Sequence, residues 1–197
     1  PVIMATHWRP LEPALFRDSL ENATAGSLPQ PVIGQFDNSY LSNNVVSEGS
    51  GTNSMGQPHP PASSTGGSQF LVIDRPNGNL GRRNLGVLES PVTEGTARLE
   101  VDLMSNQGWL TFGIGSEDGG ISVLGVSEMP FAVYISLVDD GSVRVYEGGA
   151  GWQTIEGIGH TPGQWQNYIV QYELESSSYT LTAGDTTVSL DLFAEAG

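Results

Sequence analysis

Between Trp165 and Ala183 apolar side chains return at every second position. They fall at Tyr168, Val170, Tyr172 and Leu174, then at Tyr179, Leu181 and Ala183, on either side of the polar run Glu175-Ser176-Ser177-Ser178. A period of two puts alternate side chains on opposite faces of an extended chain, so the stretch can bury one face only as two antiparallel strands joined by a turn, a β-hairpin. Residues 96–104 alternate more strictly still, with Ala97, Leu99, Val101 and Leu103 on one face and Arg98, Glu100, Asp102 and Met104 on the other. Strand-length runs continue at 109–115, 121–126 and 131–138, Asp140-Gly141 signals a hairpin into 142–146, and a last run covers 187–193. Shorter strands are expected at 32–36, 43–47 and near Thr154, and the continuous apolar run at 69–74 reads as a strand buried on both faces. With no amphipathic helix and no internal repeat, the expected fold is all-β, a two-sheet antiparallel β-sandwich.

A chain of 197 residues is long enough to bury a good core as one domain. The expected layout is an N-terminal extension at 1–13 and a sandwich at 14–197, interrupted by a Gly/Ser/Thr/Pro-rich loop insertion at 48–68. Without cysteine, the core has neither disulfides nor thiolate metal sites to staple it. The formal net charge is −15, and there is no lysine; the basic residues are Arg9, Arg17, Arg75, Arg82, Arg83, Arg98 and Arg144. That balance argues against nucleic acid and anionic membrane surfaces, both of which attract basic stripes. No apolar run approaches the roughly 18 residues of a membrane span, so membrane insertion is not expected. The sequence begins at Pro1 rather than at a methionine, and a secreted, extracellular or cell-surface setting is the expectation.

Trp165 follows the Gly163 turn and opens a strand that closes on Tyr172 and Glu173. This resembles the hairpin of concanavalin A-like, laminin-G-like jelly rolls. Residues 14–29, in which Phe16, Asp18 and Glu21 run into a glycine turn, resemble the opening strand of secreted laminin-G-like domains. The resemblance implies a jelly-roll topology. In calcium-binding jelly rolls, carboxylates of the first strand meet an aspartate of the last in a hard oxygen cage, which here implies a structural Ca²⁺ at Asp18, Glu21 and Asp191.

Glu100-Val101-Asp102-Leu103-Met104 resembles part of the Glu-x-Asp-x-Glu signature of retaining glucanases in the same superfamily. In those enzymes the first Glu is the nucleophile and the last the acid/base, the two carboxyls standing about 5 Å apart. Met104 or Ser105 occupies the second carboxyl's place, which leaves the leaving oxygen without a proton donor, so no catalysis is expected. Arg98-Leu99-Glu100 also resembles the Arg-x-Glu strand of jelly-roll alginate lyases, but a chain without lysine lacks their Tyr-x-Lys motif. His7, His59 and His160 fall in segments read as loops or termini.

A pyranose presents an apolar face ringed by hydroxyls, so sandwiches that bind glycans set aromatic platforms beside polar side chains. Trp152, read as isolated on a Gly-rich loop, is the foremost candidate for such a platform, followed by Trp109 and Tyr146, with Arg98, Glu100 and Asp102 as polar partners. Trp165 is expected in the core. The leading expectation is a non-catalytic, lectin-like module for a polysaccharide or other glycan. A second is a structural or adhesive subunit, in which the apolar run at 1–8, read first as folding back onto its own sheet, instead adds as a strand to another copy of the chain, and a third, less expected, is a glycan-cleaving enzyme. Arg82 and Arg83 could grip a carboxylate or sulfate, or simply be solvated.

Overall fold

The computed structural model describes residues 20–27, 44–47, 51–52, 58–59, 61, 67–72, 94–105, 109–115, 131–147 and 150–191. The chain divides into two units, one of residues 1–59 and 68–89 and the other of 60–67 and 90–197. The expected extension at 1–13, the strands at 32–36 and 121–126, Asp18 and the Arg82-Arg83 pair lie outside the described residues. Among the described residues there is no helix, and hence none long and apolar enough to cross a membrane.

In the first unit β1 (Asn44–Ser47) pairs antiparallel with β2 (Gln69–Val72), Asn44 standing opposite Val72. The expectation that this second strand is buried on both faces is corrected. Phe70 is buried, against His59 edge to face at 6.3 Å, whereas Gln69, Leu71 and Val72 are half-buried. Within the segment read as a loop insertion, Thr52 bridges Pro58 and the His59 N–H donates to the Gly51 carbonyl, so the chain doubles back there.

The second unit holds β3 (Thr96–Leu103), β4 (Leu110–Gly115), β5 (Phe131–Leu137), β6 (Ser142–Tyr146), β7 (Trp152–Gly159), β8 (Gln166–Glu173), β9 (Ser178–Ala183) and β10 (Thr186–Asp191). They form two antiparallel sheets of four strands each, in the orders β10-β9-β8-β3 and β4-β5-β6-β7. Each sheet contains a meander of consecutive strands, and the β3–β8 pairing joins segments distant in sequence. The Trp165–Ala183 hairpin forms as its alternation predicts: Tyr172 faces Tyr179, Val170 faces Leu181 and Tyr168 faces Ala183 across β8 and β9.

Between the sheets lies one apolar core. Val133, Ile135, Leu137, Val143 and Val145 of one sheet and Tyr168, Val170, Tyr179 and Leu181 of the other are all but fully buried. Phe112 of β4 meets Tyr168 of β8 at 5.4 Å between ring centres, a contact that crosses from sheet to sheet. Fully burying one aliphatic side chain of this kind contributes about 1.5 to 3 kcal/mol. Alternation breaks in β7, where Ile155 and Ile158 are both buried although they stand three positions apart in sequence. A bulge resolves the conflict. Ser142 pairs with Gly159 but Arg144 with Thr154, and Gly157 takes the extra turn at φ 80°, a conformation that a side chain would strain.

Two phenols sit in this core without hydrogen-bond partners, those of Tyr168 and Tyr179. Burial raises the pKa of both, and Glu147 adds to the rise at Tyr179. An unpaired buried hydroxyl costs about 1 to 3 kcal/mol, so Tyr168→Phe and Tyr179→Phe should each stabilise the fold by about 1 kcal/mol. A higher urea midpoint with an unchanged slope would show it. A lower midpoint would mean that the hydroxyl is bonded to buried water.

Candidate functional site

Burying Val133, Ile135, Val143 and Val145 turns their alternate neighbours outward, so Tyr134, Ser136, Arg144 and Tyr146 belong to the outer face of the β4-β5-β6-β7 sheet. Trp152 joins them because it pairs with Tyr146 across β6 and β7. Its ring centre lies 5.0 Å from Tyr134, 5.5 Å from Tyr146 and 5.3 Å from Trp109, the Trp109 contact nearly perpendicular. Tyr134 and Tyr146 complete the cluster at 6.5 Å. Edge-to-face rings at these separations attract through their quadrupoles, by about 0.5 to 1.5 kcal/mol per pair beyond the area they bury. With the rings in mutual contact, what the cluster turns to solvent is a surface. Trp109 is 49% exposed, the one large hydrophobic residue among the described residues that stands so far into solvent.

Ser136 shows how the surface is built. It lies in the outward row with Thr111 and Arg144, yet it is fully buried, its hydroxyl 3.1 Å from that of Thr111. Side chains of a second layer therefore cover the outer face of this sheet at β5. Gly113 pairs with Tyr134 in the same sheet, and a Cβ there would lie 1.9 Å from the Val133 carbonyl oxygen, so the backbone beside the cluster admits no side chain.

Arg144 fastens one border of the cluster. Its guanidinium carbon sits 5.2 Å from the centre of the Trp109 ring, a cation–π contact. Its Nε–H donates to Ser142 Oγ at 3.1 Å and Nη2–H to Asp140 Oδ2 at 2.9 Å. The other oxygen of Asp140 accepts from the Ser142 hydroxyl and from the Ser142 N–H. The Ser142 hydroxyl and then its N–H hold the Asp140 carboxyl below its usual value of 3.8; desolvation opposes them in part, and Arg144 adds a smaller lowering.

Of the residues expected in one ligand site, the structure brings Trp152, Trp109 and Tyr146 together, and it sets Arg98, Glu100 and Asp102 on the outer face of the other sheet. The expectation that Trp152 stands isolated on a loop is corrected: it opens β7 and is half-buried among rings, because its pairing with Tyr146 outweighs the Gly-rich segment before it. Arg98 is ion-paired with Glu100 at 2.7 Å, and Asn167 donates to Asp102 at 2.7 Å. Trp165 is half-buried at the entrance to β8, its indole N–H donating to the Pro61 carbonyl at 2.8 Å. Glu21 accepts from the Gln69 N–H at 2.8 Å and the Ser68 hydroxyl at 3.2 Å, bracing the start of β2. Asp191 is exposed at the end of β10. Among the described residues no group of three His, Asp or Glu side chains is placed to hold a metal ion. Tyr134 and Arg144 are the members that sequence reasoning left out.

No protein-family model matches this sequence, and neither the curated proteins nor the solved structures yield a match.

Because its folded pKa is depressed, Asp140 stabilises the fold above its unfolded value and loses that contribution as pH falls through the folded value, below 3.8. Acidification past that point should release Arg144 and make tryptophan more accessible to acrylamide, while far-ultraviolet dichroism holds. Asp140→Asn should show the higher accessibility at neutral pH and no further step. The same acid step in the variant and the parent would remove Asp140 from the fastening.

Proposed function

We propose that this protein is a non-catalytic glycan-binding module, with the aromatic face of the β4-β5-β6-β7 sheet as its binding surface. The observation that carries the proposal is the half-exposed Trp109 packed against Trp152 and bordered by Arg144, Ser142 and Asp140. An apolar plane with hydrogen-bonding groups at its margin matches the two-sided chemistry of a sugar ring. An isolated exposed leucine would need no explanation, but a packed aromatic layer on the outside of a sandwich presents apolar surface where water would otherwise meet polar side chains. The jelly-roll topology and the extracellular setting belong to the same proposal, and the resemblance of the Trp165–Ala183 hairpin supports them.

The opposite face favours the same choice of surface. There Arg98 is engaged with Glu100, Asp102 with Asn167, and the Thr182 and Thr187 hydroxyls with each other at 2.8 Å. These groups engage one another, and the described strands of that sheet turn no aromatic ring to its outer face.

Trp109→Ala and Trp152→Ala should each weaken binding to a retarding polysaccharide by about 1 to 3 kcal/mol in affinity electrophoresis, the range of a desolvated aromatic anchor. Thr180→Ala, on the outer face of the other sheet, should leave retardation as it was. If neither tryptophan variant loses retardation, this face is not the site.

A further inference from the structure

We infer that the aromatic face is built for a neutral glycan, and that Arg144 serves it as a fixed hydrogen-bond donor rather than as a charge. The inference rests on the glycan-binding proposal above and narrows it to a chemical class.

An arginine beside an aromatic platform ordinarily points to an anion, because the guanidinium fork matches a carboxylate or sulfate. Here its charge is already met. Asp140 takes Nη2–H at 2.9 Å, and the side chain is only 28% exposed, so the pair meets a ligand as a neutral unit. Among the described residues the other arginine, Arg98, lies on the outer face of the opposite sheet and is itself ion-paired with Glu100. Asp139, next to Asp140 in the turn before β6, is exposed and adds negative charge there. A formal charge of −15 over the whole chain repels a polyanion before it arrives, over the roughly 10 Å that 0.1 M salt leaves unscreened.

Neutralising the arginine does not exhaust its donors. A guanidinium carries five N–H groups, of which Ser142 and Asp140 engage one on Nε and one on Nη2. Two on Nη1 and one on Nη2 are left, beside the Trp109 ring over which the guanidinium sits. They are held in a fixed plane by Asp140 and by the indole beneath, so little rotamer freedom is left to lose when a ligand binds. Vicinal hydroxyls of a hexose or pentose supply acceptor oxygens at the spacing of such a fork and ask for no net charge. Asp140 is thus a positioning residue: it orients the donor and at the same time removes the attraction for uronates and sulfates.

The test is affinity electrophoresis of the whole chain in gels containing a neutral polysaccharide, hydroxyethyl cellulose or galactomannan, or an acidic one, polygalacturonate or alginate, at low and at high salt. The expected result is retardation by a neutral polymer, insensitive to salt, and none by the acidic polymers. Asp140→Asn, checked for fold by circular dichroism, should gain salt-sensitive retardation in the acidic gels and lose several-fold in the neutral gel. Salt-sensitive retardation of the parent chain by an acidic polymer, abolished by Trp109→Ala, would overturn the neutral class while leaving the aromatic surface as the site. Retardation by none of the four would overturn the glycan-binding proposal itself. An Asp140→Asn variant that behaves as the parent in every gel would overturn the role given to the pair. If that variant does not fold, the salt response of the parent alone decides the class.

Discussion

A β-strand has two faces, and burying one dictates what the other displays. In β5 and β6 the buried set is Val133, Ile135 and Leu137 with Val143 and Val145, none more than 3% exposed, so register there is held by the whole inter-sheet core. Shifting either strand by one residue would drive Tyr134, Ser136, Arg144 or Tyr146 into the space between the sheets and set the valines in water. The outward cluster is therefore positioned by contacts it does not itself make. That arrangement suits a binding surface, because side chains on paired strands are placed more firmly than side chains on loops.

Strand existence was legible wherever one face is polar. Residues 96–104 and 142–146 announce their buried and exposed sides directly, and the Tyr168-to-Ala183 hairpin follows with its pairing intact. Residues 131–138 announce a strand but not its faces, because Ala132, Tyr134 and Val138 are nearly as apolar as Val133, Ile135 and Leu137. That ambiguity hid Tyr134. Arg144 was legible in the alternation of Ser142, Arg144 and Tyr146, but its value depends on Trp109, which reaches it only through the β4-β5-β6-β7 order. Trp152 was misread for a related reason: the glycines before it are a local signal, whereas its pairing with Tyr146 belongs to the register of two strands. The β7 bulge could not be foreseen from alternation, since Ile155 and Ile158 share a face only after Gly157 has broken the period.

The two outer faces solve opposite problems with the same geometry. On the β10-β9-β8-β3 sheet, hydroxyls, amides and ion pairs satisfy one another and leave an ordinary solvated surface. On the other sheet Trp109, Tyr134, Tyr146 and Trp152 pack ring against ring on the face where Ser136 is also buried, a small apolar layer outside the main core. Such a layer stabilises by burying ring area against ring area. Trp109 nevertheless keeps half of its surface in water, with Arg144 set against its ring.

The arginine's setting separates stability from recognition. A partly exposed ion pair such as Arg144 with Asp140 adds little to folding, because solvent screens it and its side chains lose freedom to make it. Its worth is geometric. Asp140 is itself tied by two bonds to Ser142, at the start of the strand that carries Arg144, so the carboxylate, hydroxyl and guanidinium form a brace along one strand. The brace keeps donors at the margin of an aromatic surface while cancelling the charge that would recruit anions. In a chain with 22 acidic residues against 7 basic ones, an unpaired arginine would be the exception to the surrounding field. Paired as it is, Arg144 leaves that field undisturbed, and under the glycan-binding proposal selection at this face passes from charge to the shape and hydroxyl pattern of the sugar.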